Sequence, residues 1–308
     1  MTFTASAPGK LIILGEHAVV YGKPAVAVAI DRRITCTLSK ANETTVNGRP
    51  FAAEKHPYLE HMMMRSSGPV KIVTESEIPP GSGLGSSAAL CTSFLKALSA
   101  LDGTDMNEKD LAAAAFQTEY AVQGRASPLD TSASTHGMGI VVNGPKDSGD
   151  HLWDISSNDN SWSVRDIKIP EMTLVVGYTG LHAPTGPLVE KVKKYKDRNS
   201  FAADIVDEIG VITIDGIDAL RKGDVAKLGE LMTKDHKLLS ILGVSCNELN
   251  KLVDASLKYS YGAKLTGAGG GGSMVALTDE PEKVCESITL RGGRPFIVRT
   301  GQPGAKMM

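Results

Sequence analysis

The stretch Pro79-Pro80-Gly81-Ser82-Gly83-Leu84-Gly85-Ser86-Ser87-Ala88-Ala89 carries the strongest local signal in this 308-residue chain. Its glycines let main chain wrap closely around a ligand, and Ser86-Ser87-Ala88-Ala89-Leu90 then opens a helical pattern that runs to about residue 100. A helix start of this kind turns free N–H groups and the positive end of its dipole outward, so a phosphate group fits there. A serine hydroxyl at the same place can also ligate Mg²⁺. A glycine-rich connector closed by a serine cap is the plainer reading, and this stretch alone leaves it open.

Other phosphate loops fit less well. A Walker A loop needs a hydroxyl residue directly after its lysine, and neither Gly9-Lys10-Leu11 nor Gly22-Lys23-Pro24 has one. Residues 83–88 match a degenerate dinucleotide fingerprint, but they follow Pro79-Pro80 instead of running out of a strand, and they lie far from the first βαβ unit. Gly267-Ala268-Gly269-Gly270-Gly271-Gly272 has the spacing too, yet it joins two predicted strands. It reads as a hairpin whose bare backbone abuts another element or the ligand.

Outward from the loop, residues 10–14, 24–30, 34–39 and 70–74 are β-branched or alternating and predict strands, the first three in one sheet. Residues 107–122 begin with a cap-like Asn107 and place Leu111, Ala115, Thr118 and Val122 on one helix face. The Asp-, Ser- and Asn-rich segment 144–166, with Trp153 and Trp162, predicts a hairpin or loop covering the sheet. A domain junction follows near Pro170, dividing the chain into 1–170 and 171–308. Beyond it come a strand at 172–178, helices at about 187–195, 199–220, 224–242 and 246–258, strands at 263–265 and 273–277, a helix at 281–290 and a strand at 295–299. That order is a β-α-β-β-α-β unit with extra helices, an α+β half built on an antiparallel sheet.

Composition narrows the function. With 42% hydrophobic and 22% charged residues the chain buries a large core, and 33 basic against 35 acidic residues leave a net charge of -2. No basic excess and only 5% aromatics argue against nucleic acid as partner. Cys36, Cys91, Cys246 and Cys285 are widely spaced and read as reduced thiols. No secretory signal or membrane-spanning helix is expected, because Glu16, His17 and Lys23 interrupt the apolar run 11–30. The chain therefore reads as a soluble cytoplasmic protein with no membrane partner.

Four side chains stand out as chemistry. Lys10 follows Pro8-Gly9 at the start of an apolar strand, where a cation is costly unless it meets anions or snorkels to water from an edge. Glu119 faces inward by its spacing from Ala115 and Val122, although helix carboxylates more often face solvent. Asp130, among small residues in Arg125-Ala126-Ser127-Pro128-Leu129-Asp130-Thr131-Ser132-Ala133-Ser134, is placed by a loop either to meet a substrate hydroxyl or to cap the segment after it. His17, after Glu16, either contacts substrate or hydrogen-bonds its own turn. No grouping has zinc spacing and no Gly-x-Ser-x-Gly elbow is present.

Together, Ala7-Pro8-Gly9-Lys10 with Gly15-Glu16-His17-Ala18-Val19-Val20-Tyr21-Gly22, then residues 79–88, then Lys264-Leu265-Thr266-Gly267-Ala268-Gly269-Gly270-Gly271-Gly272, resemble in order the three motifs of the GHMP small-molecule kinases. Residues 15–22 are similar to the mevalonate kinases of that superfamily. The resemblance implies an N-terminal domain like ribosomal protein S5 domain 2, a ferredoxin-like C-terminal domain and an active site between them. It also implies ATP and Mg²⁺, and phosphorylation of the 5-hydroxyl of (R)-mevalonate for isoprenoid precursor synthesis. A homodimer is left open. Asp130 matches the catalytic Asp and Lys10 the lysine that meets it and the substrate. Ser87 and Glu119 match Mg²⁺ ligands, Pro80, Gly81, Ser82, Gly83, Leu84, Gly85, Ser86, Ser87, Ala88 and Ala89 the triphosphate loop, and His17 and Thr185 positions near mevalonate. Where many members have Ser-Gly before the residue preceding the Asp, this chain has Ser127-Pro128, and proline fixes φ in that loop. Phosphomevalonate kinase is the nearest rival and needs an added cationic cluster, whereas His182-Ala183-Pro184-Thr185 carries no Lys or Arg. A non-catalytic nucleotide or sugar sensor is the other, and intact Lys10, Glu119 and Asp130 speak against it.

Overall fold

The computed structural model describes residues 1–124, 126–157, 160–182 and 184–308. Arg125 of the Asp130 segment, Asn158 and Asp159 of the predicted hairpin, and Ala183 lie outside the described residues. In chain order the N-terminal elements are β1 (Thr2–Leu14), β2 (Ala25–Lys40), the short β3 (Thr45–Val46) and β4 (Arg49–Pro50), α1 (Pro57–Met63), β5 (Val70–Ser76), α2 (Ser86–Leu101), α3 (Glu108–Gln123), α4 (Leu129–His136), β6 (Gly139–Val142), β7 (His151–Ser157) and β8 (Asn160–Asp166). Then follow β9 (Thr173–Tyr178), α5 (Thr185–Arg198), α6 (Ser200–Lys222), α7 (Val225–Ile241), α8 (Asn247–Ser256), β10 (Gly262–Thr266), β11 (Ser273–Leu277), α9 (Pro281–Leu290), β12 (Arg294–Arg299) and β13 (Lys306–Met307).

The first sheet is built on two long antiparallel strands, with β1 and β2 in register from Thr2 opposite Ser39 to Leu14 opposite Val26. Segments 24–30 and 34–39, expected as separate strands, are one strand. Its first half pairs with β6 and its second with β5. Asp31-Arg32-Arg33 does not break it because these charges sit where the partner strand changes and find other bonds. The Arg33 guanidinium donates to Ser6 and to the carbonyls of Pro303 and Gly304 in the C-terminal tail. β1 likewise begins at Thr2 instead of near Lys10, since its first residues are held between β2 and β13.

The 144–166 hairpin is present but does not cover the sheet. It extends it, in the order β4-β3-β5-β2-β6-β8-β7. Trp153 and Trp162 face a buried cluster, Trp162 edge-on to Phe116 of α3 at 5.6 Å. Burying two indoles on one face outweighs the polarity of the letters between them. α2 lies against both β1 and β2, packing Phe94, Leu95 and Leu98 into the core.

The C-terminal half has a four-stranded antiparallel sheet in the order β10-β11-β9-β12, the ferredoxin-like arrangement, with α5, α6 and α7 added before α8. One core cluster joins the halves: Leu11 and Leu14 of β1 pack with Ile217 of α6, Leu228 of α7 and Val275 of β11. The four cysteines are free, and among the described residues no helix is long and apolar enough to cross a membrane.

Candidate active site

A cavity of about 570 Å³ opens between the two halves, lined by Lys10, Ser87, Glu119 and Asp130 on one side and by Thr185 and the 266–272 hairpin on the other. Of the expected residues, Lys10, His17, Gly81, Gly83, Gly85, Ser86, Ser87, Glu119, Asp130 and Thr185 line it, whereas Pro80 does not and Ser82, Leu84, Ala88 and Ala89 are buried behind it.

Lys10 is not a snorkelling edge lysine, being only 2% exposed. It sits at an irregularity of the β1–β2 ladder beside Gly9, where an added Cβ would stand 2.8 Å from Ile78 Cδ1 and 2.9 Å from Leu84 O. Glycine there lets the glycine-rich loop close on the strand: Lys10 N donates to Leu84 O at 2.9 Å, and Nζ donates to Gly83 O at 3.1 Å. The ammonium completes its shell 3.0 Å from Asp130 Oδ2. A buried lysine is tolerated because each of these partners is an oxygen.

The loop itself ends at Gly85, which occupies the N-cap of α2 at φ +75 with no side-chain cap. The serine cap of the plainer reading is thus not formed. A Cβ on Gly85 would approach Lys10 Cγ to 2.8 Å, so only glycine permits both the left-handed turn and the lysine stem behind it. Ser87 turns its hydroxyl away from the helix start and donates to Glu119 Oε1 at 2.6 Å. The 267–272 hairpin abuts the loop as expected: a Cβ on Gly267 would stand 3.5 Å from Gly83 Cα, and one on Gly272 3.5 Å from Ser82 O.

Asp130 stands in the first turn of α4 and not in a loop, because Pro128 at φ -75 takes the N-cap and pre-sets the helix. Its carboxylate serves no cap. It meets Lys10 and keeps a side-chain exposure of 31%, facing the cavity. Glu119 is buried at 3% exposure, and that desolvation, followed by the nearby charge of Asp130, pushes its carboxyl up to about 7. The Ser87 hydroxyl and Lys10 offset this only in part.

His17 adopts φ +60, a left-handed conformation uncommon outside glycine. Its Nε2 lies 2.9 Å from Ala268 O, and because a carbonyl only accepts, Nε2 carries the hydrogen. Burial lowers the imidazole's proton affinity and so favours the neutral ring, in which Nδ1 is an acceptor; Nδ1 is buried with no hydrogen-bond partner among the described residues. Thr185 begins α5 at the opposite rim, exposed to the cavity.

Sequence reasoning passes over several lining residues. Gln123 is one turn beyond Glu119 on α3 and bridges Tyr58 OH at 3.0 Å to Glu119 Oε1 at 3.5 Å. The i, i+4 spacing from Glu119 is the available signal for Gln123. Nothing local to Tyr58 or His182, which also line the cavity, marks them out.

A divalent cation fits the donor set at Ser87 and Glu119. The carboxylate is buried, that burial pushes its carboxyl up to about 7, and it has no cation in direct contact among the described residues. No group of three or more His, Cys, Asp or Glu that could hold a metal is found among the described residues, so Ser87 and Glu119 are the protein donors a divalent cation would meet here.

Known proteins are similar to this chain in sequence and fold. Residues 52–138 match the GHMP kinases N terminal domain and residues 217–291 the GHMP kinases C terminal model. The chain is 37% identical to a mevalonate kinase of Methanothermobacter thermautotrophicus, with 90% of each chain covered. It is 33% identical to one of Pyrococcus furiosus, covering 100% of this chain and 98% of that one. Among solved structures, L. major mevalonate kinase in complex with R-mevalonate superposes with a TM-score of 0.80 at 27% identity, covering 97% of this chain and 95% of that chain.

Proposed function

The chain belongs to the GHMP kinases and, within them, to the mevalonate kinases. From that premise we propose that it transfers the γ-phosphoryl group of ATP to the primary 5-hydroxyl of (R)-mevalonate, giving 5-phosphomevalonate and ADP. The observation that supports this most is the meeting of Lys10 and Asp130 at 3.0 Å beside the uncapped start of α2, in a cavity where Lys10 is the one lysine or arginine among the described lining residues. A phosphorylated acceptor would call for further cations, so the unphosphorylated alcohol suits this cavity better than phosphomevalonate.

The triphosphate would lie along residues 80–89, its oxygens taking N–H groups of the glycine loop and of the uncapped start of α2. Ser87 and Glu119 would hold Mg²⁺, which supplies charge neutralisation on the phosphate oxygens when bound. Asp130 accepts a hydrogen bond from the 5-hydroxyl, aligns its oxygen with phosphorus and takes the proton as the O–P bond forms. Lys10, paired with Asp130, neutralises charge on the transferring group. His17 offers Nδ1 to a substrate hydroxyl, and Thr185 faces the substrate from the other rim. The division into an ATP-binding unit at 1–170 and a second unit at 171–308 is part of the same proposal. A coupled assay of ADP release across mevalonate, phosphomevalonate, galactose and homoserine tests it. Mevalonate should be turned over with the highest kcat/KM, and a higher value for any of the others would overturn the assignment.

Proton and metal compete for Glu119. Because its carboxyl is held up at about 7, the carboxylate is available above that pH and lost below it. The Mg²⁺ concentration needed for half-maximal activity should rise as pH falls through neutrality, approaching about tenfold per pH unit on the acid side. A requirement that stays flat from about pH 6 to 8 would remove Glu119 from the metal site.

A further inference from the structure

Outside the chemistry just described, the molecule buries a second charged cluster. Lys264 of β10 and Asp235 of α7 are each 0% exposed, and Glu16, in the turn after β1, is 1% exposed. The Lys264 ammonium donates to Glu16 Oε1 and to Leu265 O, and stands 3.2 Å from Asp235 Oδ2. Asp235 is at ion-pair distance without hydrogen-bond alignment, and both of its oxygens and Glu16 Oε2 have no hydrogen-bond partner among the described residues. Two buried carboxylates thus share one ammonium. Such a cluster is a poor way to gain stability, since apolar side chains of similar volume would serve as well or better.

Its placement gives it another use. Glu16 precedes His17, the residue held at φ +60, and the backbone bonds around them are local to the turn: Ala18 N to Glu16 O and Val19 N to Gly15 O. The segment 16–17 has two polar side-chain anchors on the other half of the molecule, Glu16 to Lys264 and His17 Nε2 to Ala268 O. Positive φ at a non-glycine residue costs free energy and persists where the surroundings over-determine it. Lys264 and Asp235 do not line the cavity, whereas Glu16 and His17 do.

We propose that Lys264, braced by Asp235, is a positioning residue that holds Glu16 from the C-terminal half and thereby fixes the His17 imidazole toward the phosphoryl acceptor. This rests on the mevalonate kinase reading for the identity of the acceptor, but not for the state of His17. Burial pushes the Glu16 carboxyl up to about 8 against the attraction of Lys264, which lets the cluster exist without a second buried negative charge.

The test uses the full chain with His17 read by ¹⁵N NMR of its ring, and steady-state kinetics alongside. Glu16→Ala removes the tether and leaves Lys264 and Asp235 as a one-to-one pair, so the core stays charge-balanced. The double variant Lys264→Met with Asp235→Leu removes the brace and leaves Glu16, whose carboxyl burial already pushes up to about 8, as a neutral acid, so no buried ion is left without its partner. In both, the His17 ring signals should move away from their wild-type positions, and KM for mevalonate should rise by about tenfold or more while KM for MgATP stays within about twofold. Glu16→Gln, which keeps an acceptor for Lys264, should restore most of the wild-type pattern. A role confined to stability would lower the melting temperature and leave the His17 signals and the ratio of the two KM values unchanged, and that result overturns the proposal. Equal rises in both KM values would also overturn it. The His17 spectrum is taken without substrate, so it remains decisive even if the wild type proves to prefer another alcohol.

Discussion

Asp130→Asn should lower kcat by about 10²-fold or more with mevalonate and MgATP both saturating, because the amide keeps the shape of the carboxylate but neither takes a proton nor carries charge. Nucleotide affinity should change little, since the loop proposed to hold ATP is residues 80–89 and Asp130 sits on α4 across Lys10. A second consequence separates this from general damage. The Asp130 charge is one of the two causes that push Glu119 up, so its removal should shift the pH dependence of the Mg²⁺ requirement toward acid. Near wild-type kcat would take Asp130 out of the reaction.

Lys10→Met should cost about 10²- to 10³-fold in kcat, the scale seen when one preorganised donor is removed from a developing charge. Here the pH signature has the opposite sign. Lys10 lowers the Glu119 carboxyl, so without it Glu119 should hold its proton to higher pH and the Mg²⁺ requirement should shift toward base. Lys10→Arg should not rescue activity. The lysine stem is packed against Gly85, where even a methyl group on the glycine would stand 2.8 Å away, and a guanidinium has no room between Gly83 O and Asp130. Opposite pH shifts in the two variants, measured on the same Mg²⁺ titration, would place Lys10, Glu119 and Asp130 in one electrostatic unit.

The glycine loop, the helix after it and the carboxylates at 119 and 130 are legible in the sequence because their signals are local: a turn-forming run, a helical period, a charge among small residues. The strand break expected at Asp31-Arg32-Arg33 fails for the opposite reason. Arg33 is satisfied by carbonyls some 270 residues away, which no window along the chain contains. The hairpin at 144–166 extends the sheet instead of covering it because its polar letters hide two tryptophans that pack in the cluster around Phe116. Asp130 reads as a loop residue although it is helical, since short Ser- and Thr-rich helices have weak period and the residue at the N-cap is a proline, which reads as a loop former. Lys264 stands in the sequence only as the first letter of a motif. Its partner Glu16 lies 248 positions away, and the burial that makes the pair meaningful is a property of the packed halves.

The measurement that bears most directly on the proposed chemistry is identification of the product by NMR when the purified protein is given MgATP and ¹³C-labelled mevalonate. One ADP should appear per mevalonate consumed, with a phosphorus coupling at carbon 5 and the carboxylate and the tertiary hydroxyl untouched. Release of ADP without that coupling, or a phosphoryl group on any other oxygen, would contradict that chemistry.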